Sequence, residues 1–110
     1  MMKLLLICIA LFTVMSCSGS IPEPTPVQVE WANHQWQNTT AETLRNGRSL
    51  YITKCSGCHS VIVPASLSSE KWLEVLPEMS KKSKLLPEES ELVKKYLLTM
   101  SKQSNFSVKK

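Results

Sequence analysis

Apolar residues recur at helical spacing in three stretches of this chain, and no stretch alternates apolar and polar residues as a strand does. The first stretch is AETLRNGRSLYITKC. One of its faces carries residues three or four positions apart: Leu44, Gly47, Tyr51 and Cys55. Thr39 or Thr40 can cap this helix, and Glu42 stands where a capping box with Thr39 requires an acid. A glycine inside a helix costs about 1 kcal/mol relative to alanine, so Gly47 indicates a point where another backbone comes close.

Two further helices are predicted nearer the C-terminus. Ser68 or Ser69 can cap the stretch SEKWLEVLPEMSKK, which Pro77 must kink or split. One face of this stretch carries Trp72, Leu76 and Met79. Pro87 begins the last helix, with two glutamates in its first turn. Its apolar stripe is Leu92, Tyr96 and Met100. The pattern predicts an all-α domain of about three main helices.

The N-terminal stretch MMKLLLICIALFTVMSC has the pattern of a secretory signal, one lysine followed by an apolar run. A membrane span needs about 20 apolar residues, so this run is too short. Its end, VMSC, resembles the lipobox of bacterial lipoproteins. The resemblance implies that residues 1–16 are a signal peptide and that Cys17 becomes the lipid-carrying first mature residue. The alternative is an ordinary cleaved signal with an incidental cysteine.

The remaining chain divides into three predicted parts. Residues 17–38 form a lipid-anchored, proline-rich tether. Pro22, Pro24 and Pro26 alternate in it and favour an extended, semi-stiff chain, which up to about residue 30 can lift the domain some tens of Å from the membrane, at roughly 3 Å per residue. Residues 39–101 form the domain, and residues 102–110 form a polar tail. Trp31 and Trp36, at the end of the tether, either pack on the domain or lie near the membrane interface.

Composition narrows the classes of function. A chain of 110 residues holds one small domain with a thin core, which often needs a metal or cofactor. The net charge is +4, with lysines scattered over the chain. This pattern is typical of solvated helix faces, or of a docking surface for an acidic redox partner or an anionic membrane. No recognition motif accompanies the charge, so nucleic-acid binding is not expected.

The stretch KCSGCHS, residues 54–60, carries the candidate chemistry. A structural zinc site needs four ligands, and beyond Cys55, Cys58 and His59 the chain offers only His34 as a further histidine. A redox disulfide of the thioredoxin type needs a βαβ context, which the all-α pattern lacks. Covalent haem fits best, because two thiols at this spacing can bond the two haem vinyl groups while the adjacent histidine ligates the iron. We therefore predict one haem c, attached outside the cytoplasm.

From about Leu44 to Leu98 the chain resembles the small monohaem class I cytochromes c. The markers are LRNGRSLYITKC leading into CSGCH, and the closing helix ELVKKYLL. The resemblance implies that Gly47 and Tyr51 pack against the last helix near Tyr96. It further implies that the Pro64 carbonyl accepts the ring N–H of His59, which would orient the imidazole.

The segment EKWLEVLPEM resembles one found in compact monohaem or dihaem variants, which makes Trp72 a haem-contact candidate. The chain departs from the pattern in a short loop, because only 19 residues separate His59 from Met79 and no long glycine-rich stretch precedes the methionine.

Met79 is the predicted sixth iron ligand, since a thioether is a soft neutral donor and Pro77 disturbs the end of its helix. Met100 is better explained as core packing. His34, a lysine, or an open iron remain the alternatives.

With both axial positions filled, the predicted function is electron transfer rather than catalysis. The chain would be a lipid-anchored monohaem cytochrome c on the periplasmic side of a bacterial membrane, carrying electrons between redox proteins of the respiratory chain. A haem sensor with open iron and a fixed haem subunit of a larger oxidoreductase are the alternatives. A peroxidase is disfavoured because no distal His/Arg pair is evident, and Arg45 and Arg48 lie on the first helix.

Overall fold

Four α-helices and one short 3₁₀ turn make up the structure, a computed structural model that describes residues 21–55 and 61–101. The helices are α1 (Pro26–Gln35), α2 (Ala41–Cys55), α3 (Ser69–Lys82) and α4 (Pro87–Met100), and the 3₁₀ turn is Pro64–Ser66. No strand occurs in the two described ranges. The all-α prediction is confirmed.

Helix α2 begins with a reciprocal pair of threonines. The Thr40 hydroxyl accepts the Thr43 N–H at 3.2 Å, and the Thr43 hydroxyl accepts the Thr40 N–H at 3.2 Å. Thr40 is therefore the cap, and the capping partner is Thr43 rather than the predicted Glu42. Thr39 is buried, and its hydroxyl donates to the Trp36 carbonyl at 2.6 Å. This bond fixes the turn between α1 and α2.

Helices α3 and α4 begin where the sequence predicts. The Ser68 hydroxyl accepts the Lys71 N–H at 3.2 Å, which caps α3. Pro87 is the first residue of α4, and the Glu89 carboxylate accepts the Leu86 N–H at 2.9 Å. The acidic first turn also complements the positive end of the helix dipole.

Helices α2 and α4 cross at Gly47. A Cβ atom built on Gly47 would lie 3.0 Å from the Cβ of Tyr96 and closer still to the carbonyl of Leu92. The predicted close approach of a second backbone is confirmed. The predicted buried face is confirmed as well, with all of its members buried: Leu44, Gly47, Tyr51 and Cys55. The rings of Tyr51 and Tyr96 lie 6.3 Å apart, centroid to centroid, beside this crossing.

The expectation of an extended chain up to about residue 30 is wrong from Pro26 onward, where α1 begins. The Thr25 hydroxyl accepts the Gln28 N–H at 3.3 Å, and the Gln28 side chain accepts the Thr25 N–H at 2.8 Å. Pro26 follows as the first helical residue, where proline favours a helix because its missing N–H is not needed there. Trp36, at the end of α1, packs partly buried against the core. Trp36 therefore packs on the domain, which is one of the two locations expected for it.

Several predictions concern other parts of the chain. The signal peptide 1–16, the lipidated Cys17 and the tail 102–110 lie outside the described residues, and the boundaries drawn at 38/39 and 101/102 stay predictions. Within residues 21–55 and 61–101, no helix combines the length and the apolar character needed to cross a membrane.

Candidate functional site

A cavity of about 620 Å³ opens beside the C-terminal end of α2. Its volume lies within the range of about 300–1,000 Å³ that is typical of small-molecule and cofactor sites. Residues from α2, from the segment that leads to α3, and from α3 itself line it, chiefly Cys55, Ile62, Leu67, Val75, Met79 and Ser83. The wall is therefore mainly apolar and contains two sulfur-bearing side chains, while Lys71, Glu78 and Lys82 add charged groups to it.

Cys55 brings one of these sulfurs to the cavity. It is the last residue of α2 and only 4% exposed. Because it follows Tyr51 by four residues and Gly47 by eight, it continues the buried face of α2 beyond the crossing with α4. The Ser83 hydroxyl donates to its thiol at 3.8 Å. Its predicted companions Cys58 and His59 lie outside the described residues, so their haem roles stay predictions.

Met79 brings the second sulfur from α3. The three residues predicted to share a face do so, with Trp72 and Leu76 buried and Met79 at the edge of the cavity. Helix α3 runs unbroken from Ser69 to Lys82, so Pro77, which is exposed, does not split it.

The other candidate iron ligands lie in the core, on the surface of α1, or in ion pairs beside the cavity. Met100 is 6% exposed and belongs to the hydrophobic core, as a packing methionine would. His34 is exposed on α1. Lys71 and Lys82 reach the rim of the cavity, where each has a glutamate partner: Glu74 at 3.6 Å from Lys71 and Glu78 at 3.2 Å from Lys82. Such exposed pairs contribute less than about 1 kcal/mol.

Three residues predicted to contact the cofactor lie behind the cavity wall. Trp72 is fully buried and packs edge-on against Tyr51, with ring centroids 5.9 Å apart. The Tyr51 hydroxyl donates to the carbonyl of Ile62, a lining residue, at 2.5 Å. In the described part of the chain, Tyr51, Pro64 and Trp72 support the lining rather than form it. Direct contact of these residues with haem stays a prediction.

The Pro64 carbonyl has a partner that sequence reasoning missed. It accepts the indole N–H of Trp72 at 2.9 Å, in a buried position, and the backbone N–H of Leu67 at 3.3 Å. The predicted bond from His59 lies outside the described residues and stays a prediction. The observed bond to Trp72 anchors the segment after the cysteine motif onto α3.

The two buried phenols are held in their neutral form. Burial raises the pKa of Tyr51 to about 12, against a weaker lowering by its bond to the Ile62 carbonyl. Burial also raises the pKa of Tyr96, with the nearby Arg48 guanidinium acting in the opposite direction. Both hydroxyls therefore act as hydrogen-bond donors at neutral pH.

The cavity fits the group that the sequence predicts. The apolar part of the wall suits a flat apolar macrocycle, and the Cys55 thiol at the wall can carry a thioether link to it. Met79 offers a soft neutral donor from a different element. Among residues 21–55 and 61–101, no three His, Cys, Asp or Glu side chains gather closely enough to hold a metal ion.

A family model described as dihaem cytochrome c matches residues 51–110, somewhat more than half of the chain. The matched range begins at Tyr51 and contains the CSGCH motif together with α3 and α4. No curated protein and no solved structure matched the chain.

Proposed function

Because the chain belongs to the dihaem cytochrome c family, we propose that it is a membrane-anchored cytochrome with one haem that carries single electrons between extracytoplasmic redox partners. Haem-based electron transfer follows from the family. The observation that carries the finer proposal is that Cys55, of the haem-attachment motif, and Met79 line one apolar cavity.

The number of haems is the first point at which the proposal goes beyond the family. The family is described by two haems, whereas this sequence contains one CxxCH motif. Its two other cysteines, Cys8 and Cys17, lie in the N-terminal apolar stretch. One covalent haem per chain is therefore expected, and the mass of the purified protein tests it.

The residues of the site have distinct tasks in this proposal. Cys55 and Cys58 hold the haem, and His59 and Met79 ligate the iron, which supplies the one-electron chemistry. A thioether ligand raises the reduction potential relative to a second histidine. With His59 and Met79 both on the iron, no ligand position would remain for a substrate, so we propose an electron carrier rather than an enzyme.

The location follows from the N-terminal sequence. A lipid on Cys17 would hold the domain at the periplasmic face of a bacterial membrane, where proteins of the respiratory chain serve as donor and acceptor. Covalent lipid contributes about 0.8 kcal/mol per buried CH₂, so several acyl chains give a firm anchor. We expect no nucleic-acid partner.

Absorption spectra of the full chain, produced with haem-attachment machinery, test the iron ligands. We expect a ferric methionine–iron charge-transfer band in the unmodified protein and no CO binding to the ferrous form. Met79→Leu keeps the side-chain volume but removes the sulfur, and it should abolish the band. Met100→Leu makes the same change in the core and should leave the band intact.

Other results would contradict parts of the proposal. An unchanged band in Met79→Leu would remove Met79 from the iron. CO binding by the unmodified protein would favour a haem sensor with open iron. Absence of covalent haem would refute the whole proposal.

A further inference from the structure

Residues 21–23 are fastened to the helices by their backbone. The Ile21 carbonyl accepts two hydrogen bonds from the Arg48 guanidinium, at 3.0 Å from Nε and 2.7 Å from the terminal nitrogen Nη2. The Pro22 carbonyl accepts the Tyr96 hydroxyl at 2.6 Å. Arg48 also pairs with Glu23 at 3.6 Å, and Ile21 is only 9% exposed. We call residues 21–23, with Arg48 and Tyr96, the N-terminal clasp.

The clasp joins the start of the described chain to both helices of the central crossing. Arg48 follows Gly47 on α2, and Tyr96 lies on α4. Hydrogen bonds from a charged donor are about twice as strong as neutral ones, and the Arg48 side chain is 25% exposed. Specific hydrogen bonds therefore fix residues 21–23 at a defined point on the domain.

The clasp shortens the tether that the proline pattern suggested. Ile21 follows Cys17 by four positions, and an extended chain spans at most about 3.6 Å per residue, or about 14 Å in total. We propose that the clasp holds the domain within about 14 Å of its lipid, with the α2–α4 crossing as the membrane-proximal end. The inference rests on the lipidation of Cys17 included in the proposed function. Without the clasp, nine residues up to Pro26 would span about 32 Å.

This short connection to the lipid restricts which redox partners can reach the haem. Cys55 follows Arg48 by seven residues, or about 10 Å along α2 at 1.5 Å per residue. This rise and the span of about 14 Å from the lipid to Ile21 add up to about 25 Å, apart from the reach of the Arg48 side chain, so the haem cavity would lie near the membrane surface. A redox partner must present its own centre at the same membrane surface, so the clasp favours membrane-bound partners over freely diffusing ones.

NMR relaxation of the full-length holoprotein tests the clasp itself. We expect backbone order parameters near 0.85 for Ile21 and Glu23, which is typical of rigid backbone. Arg48→Ala should lower them below about 0.6. Arg45→Ala, an exposed position on the same helix, is the matched control and should leave them unchanged. If Arg48→Ala does not fold, Tyr96→Phe removes the bond to Pro22 alone and should loosen the same segment. Order parameters that stay high in the folded variant would refute the clasp.

Quenching of a headgroup-labelled fluorescent lipid by the haem tests the distance in nanodiscs. The unmodified protein and Arg45→Ala should quench strongly, and Arg48→Ala should quench less. Equal quenching by all three would overturn the membrane-proximal placement. Cys17→Ser separates the two proposals: if this variant stays membrane-bound like the unmodified chain, the lipid anchor fails, whereas the NMR result still decides on the clasp.

Discussion

Gly47→Ala is the change for which the structure gives the sharpest expectation. The added Cβ would lie 2.8 Å from the carbonyl carbon of Leu92 and 3.0 Å from the Cβ of Tyr96. Neither atom is the end of a flexible side chain, so α2 and α4 must move apart. Overpacking typically costs about 1–3 kcal/mol, and the obstacle is backbone, which argues for the upper part of that range. Alanine regains about 1 kcal/mol of helix propensity, so the net loss should be about 2 kcal/mol.

Urea unfolding of the full holoprotein measures this loss. In a domain of this size, 2 kcal/mol lowers Tm by roughly 10 °C. Asn46→Ala is the matched control, because it changes an exposed neighbour on the same helix and gains propensity without a clash. A Gly47→Ala protein as stable as the unmodified chain would refute the close packing of α2 and α4 at this point.

Two further predictions concern the buried aromatic residues. Trp72→Phe leaves the buried Pro64 carbonyl without its indole donor and should lower the free energy of unfolding by about 2 kcal/mol. The control Trp31→Phe, at a partly buried position on α1, should lower it by less than half as much. Equal losses in the two variants would contradict the special role of the Trp72 bond. Tyr51 has a folded-state pKa of about 12, above its unfolded value of 10.0, because burial disfavours the phenolate. Its folded form thus binds the proton more tightly, so the associated stability is present in full below pH 10 and is lost as pH rises from about 10 to 12, by roughly 3 kcal/mol. Tyr51→Phe should flatten this part of a plot of unfolding free energy against pH, although Tyr96 adds a loss of the same sign. If the unfolding free energy of Tyr51→Phe and of the unmodified protein fell equally steeply between pH 10 and 12, the raised pKa of Tyr51 would be contradicted.

Three helices could be predicted because local and long-range signals agree. In α2, α3 and α4, a capping or first-turn residue precedes a single apolar stripe. The stripe of α2 is fully buried. The stripes of α3 and α4 are buried except for Met79 and Leu92, which are partly buried. Helix α1 has no such stripe, since only Ala32 is buried in it. Its Thr25–Gln28 capping box is visible in the sequence, but the alternating prolines before it suggested an extended chain. Hydrophobic periodicity cannot detect a helix that buries so little.

The site was predictable only in part. The chemistry of the motif singled out Cys55, and the face shared with Trp72 and Leu76 singled out Met79, while the roles of both residues toward haem stay predictions. The acceptor role of Pro64 toward Trp72 did not follow, because a carbonyl can accept from any donor that the tertiary fold brings near. The bonds from Arg48 to Ile21 join residues 27 positions apart. No local pattern in the sequence marks such a pair.

Three aromatic rings connect the cavity with the N-terminal clasp. Tyr51 packs against Trp72, which holds the segment after the cysteine motif, and against Tyr96, which holds Pro22. Tyr51, on α2, therefore contacts a residue of each attachment, and its distance from Tyr96 depends on the spacing between α2 and α4. A change that separates these helices should loosen the clasp and disturb the haem environment together. If Gly47→Ala altered stability but left both the order parameters of Ile21 and Glu23 and the haem spectrum unchanged, the aromatic contacts would be independent supports rather than one connected core.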